Sequence, residues 1–459
     1  MKESRIIAAI TLLASAVCLG SCGEKENNGL GPVPGEQDSG YTVAGVKIND
    51  YSIVYALPGT TNDADNVAKD IADDLKTAVF KNLKVSISAV ASGTREKEHE
   101  ILIGSTNRQA SKTEYAAKAD PFDYKISVSD GKLVISGGEW GIRHAANILL
   151  NDYIKPGKII PADVSISGNA RGKQLFARPL GNLRIFDDNI WQYDKNEIPD
   201  VWQAAGEDPR NSFRGIQFAD VVASFMPDVF CFQEYSKAME AVFLPRIKGY
   251  GYSKCVASQQ PNFTPVFYNP ETVAVEKDGY VLFTPAKWSN SSTKSFTWAV
   301  FKLKASGRLF AVVSTHLWYK SDTEEPGSTQ ARCDQVNVIR AKVAEIEKEY
   351  GCPVFVAGDM NCNLSSSPMG FFLNDGYEPC PQIATVFKDG RRGKNTCAAS
   401  GFSGPSVESS TENGVRAIDQ FFVHNRDANT GILSFRRIYA DFIYSLTDHC
   451  PNYCDISLI

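Results

Sequence analysis

The chain lacks any broad excess of positive charge: 48 Lys and Arg stand against 53 Asp and Glu in 459 residues, a formal net charge of -5. A protein so balanced has no wide basic field for gripping nucleic acid, although a compact groove on it can still be locally positive. An apolar run long enough to cross a bilayer is also missing. The opening segment, MKESRIIAAITLLASAVCLGSC, has a charged head followed by an apolar stretch too short to span comfortably, so it reads as a secretory signal. No CxxC pair and no Cys/His cluster has zinc spacing, which argues against a structural zinc site. What is present is the composition of an ordinary globular protein, 43% hydrophobic and 22% charged, long enough for two or three domains.

Leu19-Gly20-Ser21-Cys22 resembles a bacterial lipobox, in which the cysteine becomes the lipidated first residue of the mature protein. The resemblance implies a signal peptide over 1–21 and an envelope protein held by acyl chains on Cys22, at the outer membrane. Residues 22–40 are polar and rich in Gly and Pro, the composition of a flexible tether. The acidic, Asn-containing run after Cys22 resembles the surface-export signals of Bacteroidetes-type lipoproteins. Of the 11 cysteines, Cys18 leaves with the signal and Cys22 carries lipid, so the odd number left cannot all pair. An envelope setting admits one or two disulfides, with Cys450/Cys454 and Cys380/Cys397 as candidates.

Two regions with different patterns follow the tether. Over 41–172, short strands (YSIVYA, EILIGS, and a hairpin YKISVSDGKLVISG turning at Asp130-Gly131) alternate with amphipathic helical segments, the last of them EWGIRHAANILLNDYI. This order resembles the small α/β domain that precedes the catalytic barrel of several glycoside hydrolases, a likeness carried by EILIGSTNR and GKLVISGGEWGIRHAANILLNDYI. No such barrel follows, so it implies fold and not activity, and the region is expected to close its own core. His144, inside the last helix, reads as a packing or surface histidine. Over 173–459 the strands are longer and apolar: NLRIFDDNIW, DVFCFQE, TPVFYN, WAVFKLK, RLFAVVSTHL, PVFVAGDMN, AIDQFFV and FRRIYADFIYSLTDHCP. Two helices stand out, SFRGIQFADVVASF and STQARCDQVNVIRAKVAEIEKEY. Many strands with few helices predict a sheet-on-sheet core with helices outside.

Polar residues recur where those strands end. Asn189, Glu234, His316, Asp359, Asn361, Asp419, Asp448 and His449 each lie in, at or just past an apolar strand. Carboxylates and amides gathered at one rim would bind a hard divalent cation through oxygen, and nearby histidines could polarise phosphate or move protons. By contrast, Asp228 after Pro227 reads as a turn residue and His424 as a solvated cap.

The series Asn189, FQE at 232–234, STHL at 314–317, GDMN at 358–361, AIDQFFV at 417–423 and TDHCP at 447–451 resembles, in order and spacing, the endonuclease/exonuclease/phosphatase superfamily. The resemblance implies a four-layered α/β sandwich, two sheets flanked by helices, that hydrolyses phosphoester bonds with Mg2+ or Mn2+. It implies Glu234 as principal metal ligand with Asn189 close by and Asp448 as a further metal-site carboxylate. Asp359 would orient or deprotonate the attacking water, and Asn361 would hold phosphate. His449 would pair with Asp419, and His316 would contact the phosphate or the leaving oxygen. Gln420 stands where the family usually has tyrosine and Thr447 where it more often has serine; neither change removes a ligand.

The superfamily covers nucleases, phosphatases and phosphodiesterases, which its catalytic motifs do not separate. The expected partners are a phosphoester substrate (a lipid headgroup, a sugar phosphate or nucleic acid) and the membrane, with no obligate protein partner evident. The low positive charge favours a substrate of modest size over long nucleic acid, with an extracellular nuclease as the alternative. The basic run Lys388–Lys394 reads more readily as a solvated loop than as a phosphate grip, and Trp191, Trp318 and Tyr319 as stacking platforms or packing residues. The rival class is a surface lipoprotein that binds glycans or other polymers without chemistry.

Overall fold

The computed structural model describes residues 39–57, 67–114, 120–176, 181–192, 213–284, 294–388, 417–438, 441–444 and 446–459. The expected signal peptide with Cys22, nearly all of the tether, Cys397 and the basic run from 389 onward lie outside the described residues.

The first region is built on strands β1 (Ser52–Tyr55), β2 (Ala89–Ala91), β3 (Glu100–Ile103), β4 (Asp123–Ser129), β5 (Lys132–Gly137) and β6 (Ser165–Asn169), arranged β2-β1-β3-β5-β4-β6. Helix α1 (Val67–Leu83) places Ile71, Leu75 and Val79 one turn apart on a single stripe. That stripe packs with α2 (Gly141–Ile148) on Ile53, Ile101, Ile103 and Ile135. The hairpin turns at Asp130 and Gly131, both at positive φ (50° and 73°), the conformation that suits the right-handed twist of two short-linked strands. His144 on α2 meets the ring of Tyr124 edge-on at 4.8 Å, and burial holds its pKa below the usual imidazole value, as suits a packing residue.

The second region is a four-layered α/β sandwich. Its first sheet is formed by β7 (Leu183–Asn189), β8 (Val229–Gln233), β9 (Val266–Tyr268), β15 (Thr430–Arg437) and β16 (Asn452–Leu458), in the order β9-β8-β7-β16-β15 with a short strand at each edge. The second is β10 (Val273–Leu282), β11 (Ser295–Leu303), β12 (Leu309–His316), β13 (Val354–Asp359) and β14 (Asp419–His424), in that order, with a short edge strand beyond β14. Alternation along each strand sorts the side chains into layers. Ile185, Val312, Phe355 and Phe421 fill the space between the sheets. Their neighbours Phe186, Val313, Val356 and Phe422 face outward, Phe186 toward α3 (Phe213–Phe225) and α4 (Lys237–Gly249), the others toward α5 (Ser328–Tyr350). Every residue of β13 is buried, which is why its sequence is apolar on both faces.

Three expectations need correction. FRRIYADFIYSLTDHCP is not one strand: β15 stops at Arg437, Asp441–Tyr444 makes a single helical turn, and the chain reaches the site through 446–450 before β16 begins. Strand β10 escaped notice because it is half exposed and carries Asp278-Gly279, which reads as a turn; here Gly279 lies under the Trp298 indole, in space a side chain would fill. Cys450 and Cys454 are buried free thiols, so that candidate disulfide is not formed. Cys454 faces the inter-sheet core beside Cys380, itself a free thiol.

The two regions share an apolar seam. Trp140, 1% exposed, meets Phe176, Phe225 and Phe442 edge-on at 5.1, 5.4 and 4.6 Å, and Phe122 joins the same cluster. Arg171 staples the seam, donating from Nη1 to Asp220 Oδ2 (2.7 Å) and Gln217 Oε1 (2.8 Å) while its Nη2 pairs with Asp120. The first region thus has a core of its own and, beyond it, aromatic side chains buried only by the second.

Candidate active site

Strand pairing brings the polar residues together. Asn189 ends β7 beside Gln233 of the parallel strand β8, His316 ends β12 beside Asp359 of the parallel strand β13, and Asp419 opens β14 directly opposite Asp359. The ends of both sheets therefore converge on one rim. Gly358, at φ 141°, lets β13 pass against β12, since any Cβ there would be driven into the Thr315 carbonyl oxygen; this fixes the approach of Asp359 to the rim. Glu234 and Asn361 also sit at positive φ (58° and 50°), where the chain turns sharply as it leaves each strand.

Asp359 is the hub. Asn189 Nδ2 donates to its Oδ2 at 3.0 Å, the Asn361 backbone N–H donates to its Oδ1 at 2.8 Å, His316 Nε2 lies 3.4 Å away and His449 Nε2 3.8 Å away. His449 Nδ1 pairs with Asp419 at 2.9 Å, so the second ring nitrogen faces Asp359 and, at 3.9 Å, Asp448 Oδ1. Glu234 accepts from Asn189 Nδ2 (3.4 Å) and from the Gln192 backbone N–H (2.9 Å). Asn361 is the exception, because its side-chain amide donates to the Leu317 carbonyl (3.0 Å) instead of facing the acids. The loop bearing His449 is pinned on both sides: Thr447 Oγ1 donates to the Asn189 carbonyl (2.6 Å), and the buried Arg214 donates from Nε to the Leu446 carbonyl (2.7 Å).

Burial pushes the Asp359 carboxyl up to about 6; the charge of Asp419 adds to the shift, while His449, Lys294 and the Asn361 N–H pull it back. Ligand atoms of Asp359, Asp419 and His449 all lie within 4.8 Å of one another. Within this trio His449 is hydrogen-bonded to Asp419, the carboxylates of Glu234 and Asp448 border it, and Asn189 turns its Nδ2 toward the acids while its Oδ1 accepts from the Trp191 N–H. A set of carboxylate oxygens suits a hard dication such as Mg2+ or Mn2+.

Several residues escaped the sequence argument. Lys294, 3% exposed, sets its ammonium against His316 Nε2 and over the Tyr319 ring at 5.3 Å. It opens an antiparallel strand, so the end of the sheet that carries the motifs is the start of its own, a relation visible only once β11 pairs with β12. Asp187 and Asp188 are fully buried on β7 with carboxyls raised well above the usual range, chiefly by desolvation; two acids inside an apolar strand were the signal for them. Asp187 accepts from Gln233 Nε2 at 2.8 Å. Of the residues set aside, Asp228 accepts from the Arg184 backbone N–H (2.6 Å) as a buried structural group. His424 is no solvated cap: it pairs with Glu347 and stacks on Tyr377 at 4.2 Å. Trp318 is a packing residue whose indole donates to Ser328 Oγ, whereas Tyr319 is 46% exposed beside the site.

Residues 201–449, more than half of the chain, match the model of the Endonuclease/Exonuclease/phosphatase family. The chain belongs to this family. Its members hydrolyse phosphoester bonds and generally depend on a divalent metal. Asn189 precedes the matched residues. Among solved structures, the endonuclease/exonuclease/phosphatase from Bacteroides vulgatus is 20% identical, with a TM-score of 0.46 over 60% of this chain and 99% of that one. A Bacteroides thetaiotaomicron mannosyl-6-phosphatase is 17% identical (TM-score 0.41, 60% and 99% covered). The human nocturnin catalytic domain with bound sulfate is 15% identical (TM-score 0.41, 60% and 93% covered). No curated protein matches the chain.

Proposed function

We propose that this family member is an Mg2+- or Mn2+-dependent phosphoesterase, held at the bacterial envelope by lipid on Cys22, that cleaves a phosphodiester or phosphomonoester of modest size. The observation that carries the reading is the buried Asp359 carboxylate, placed between His316 and the His449–Asp419 pair at the rim of both sheets. A dication held by Glu234 and Asp448, with Asn189 orienting Glu234 through its Nδ2, would supply Lewis-acid charge to the phosphoryl oxygens. With a carboxyl titrating at about 6, Asp359 is ionised at neutral pH yet basic enough to orient the attacking water and accept its proton. Asp419 holds His449 in the tautomer that presents Nε2 to the same space, where it stabilises charge on the phosphate or passes a proton to the leaving oxygen. The Lys294 ammonium, which donates to His316 Nε2, adds positive charge for a non-bridging oxygen. The modest positive charge of the chain favours a lipid headgroup or sugar phosphate over long duplex DNA.

Hydrolysis of bis-p-nitrophenyl phosphate with Mg2+, and its loss with chelator, tests the chemistry; a panel of plasmid DNA, single-stranded RNA, sphingomyelin, phosphoinositides and sugar phosphates tests the substrate. No turnover on any of these would favour the non-catalytic polymer binder. Rapid plasmid cleavage alone would favour the nuclease.

A further inference from the structure

The outer face of the first sheet is covered by α3 and α4 over β7 and β8, but over β16 and β15 it is roofed by the first region. Cross-strand pairing puts Arg184 beside Asp455 and Arg436 beside Tyr453 on that face. Asp74 of α1 and Arg143 of α2 come down opposite them, and a cavity of about 430 Å³ remains between the two regions, a volume in the range of small-molecule sites. It lies near the start of β7, whose far end carries Asn189, so about 17 Å of strand separates it from the candidate active site.

The charges lining this cleft do not cancel. Arg184 is saturated: Nε and Nη2 donate to Asp455 at 2.6 and 2.9 Å, and Nη1 donates to the Phe176 and Phe225 carbonyls. Arg143 spends Nη1 on Asp74 (2.6 Å), a carboxylate 58% exposed, while its buried Nε has no hydrogen-bond partner. The Arg436 guanidinium makes no hydrogen bond or ion pair among the described residues. Arg143, Arg184 and Arg436 line this one cavity together with Tyr453. A buried donor without an acceptor is rare because it forfeits its hydration; the first region brings one such donor in Arg143 and the second sets the half-buried Arg436 guanidinium on the same cavity, so an acceptor between them would serve both walls.

We propose that this interdomain cleft binds a small phosphate-bearing molecule between Arg143 and Arg436. A tetrahedral phosphate accepts from several directions at once and so suits two guanidinium forks arriving from opposite walls, where a planar carboxylate would satisfy one. The apolar walls at Leu175, Phe176 and Tyr453 leave room for an organic body as well as the phosphate. Such a ligand bridges the two regions and stabilises their docking by mass action.

Calorimetric titration of the folded chain with inorganic phosphate, glucose 6-phosphate and acetate, all in chelator to silence hydrolysis, tests the proposal without relying on any catalytic activity. Saturable binding of phosphate or of the sugar phosphate is expected, with Arg143→Gln and Arg436→Gln each weakening it by about tenfold, as loss of a charge-assisted contact should. His449→Ala should leave this binding unchanged. Tighter binding of the sugar phosphate would identify an organic ligand, and equal binding would identify phosphate itself. No saturation by roughly 20 mM, far weaker than a built site gives, would overturn the proposal. So would affinity that neither arginine change alters, or acetate binding as well as phosphate.

Discussion

Replacing Asp359 with asparagine should abolish turnover and, at alkaline pH, make the protein more stable. In the fold this carboxyl is raised from its ordinary 3.8 to about 6, mainly by burial. A raised carboxyl adds nothing unfavourable below pH 4, where both folded and unfolded chains hold the proton, and costs stability progressively as pH rises through 6. The rise from 3.8 to about 6 corresponds to roughly 3 kcal/mol once the group is ionised in both states. Against this, asparagine cannot keep both hydrogen bonds. Its oxygen can still accept from the Asn361 N–H, but the bond from Asn189 Nδ2 at 3.0 Å is lost, at about 1 kcal/mol. The variant should therefore be about 1 kcal/mol less stable than wild type near pH 4 and about 2 kcal/mol more stable at pH 8, the difference changing sign between. Asp188 is common to both proteins, whereas Asp187, which the Asp359 charge helps to raise, is relieved in the variant and adds to its gain at alkaline pH. Urea unfolding of both proteins at several pH values, in chelator so that no dication compensates the carboxylate, reads the difference directly. A stability difference that is flat with pH would refute the burial argument for Asp359.

Four further outcomes are expected, three from the structure and the last from the lipobox sequence. His449→Ala should lower kcat at least about a hundredfold, the scale for losing a proton-handling group, and near-wild-type turnover on every active substrate would break the site assignment. Glu234→Ala should chiefly raise the Mg2+ concentration needed for half activity; an unchanged metal titration would remove Glu234 from the coordination sphere. Trp140→Ala should cost about 3–5 kcal/mol, as for a large buried aromatic, and because its partners lie in both regions, calorimetry should show the stability of both altered. If only the first region moves, the seam is not cooperative. Cys22→Ser should yield unprocessed or released protein, and fractionation that finds the wild type wholly soluble would dispose of the lipid anchor.

How legible the fold was varied with what each residue answers to. β13 could be read directly, because a strand covered on both faces must be apolar throughout and its end must turn polar where it meets solvent. The helix Ser328–Tyr350 could be read as well, its length and spacing being local, with Gly351 at positive φ (60°) to end it. β10 could not, since its register depends on pairing with β11 and its exposed middle carries no alternation to find.

By itself the sequence determined which strands end in acids, amides and histidines, and in what order, because alternation and strand length are properties of the local chain. Only the tertiary structure decided which of those ends meet. Parallel pairing of β7 with β8 and of β12 with β13, and the stacking of the two sheets, put Asn189 against Asp359 across 170 positions. The same packing placed Lys294 behind His316, set Cys454 beside Cys380 instead of Cys450, and left two arginines facing one cleft between the regions. Contacts of that kind depend on the relative placement of elements far apart in the chain, and no local pattern of residues encodes them.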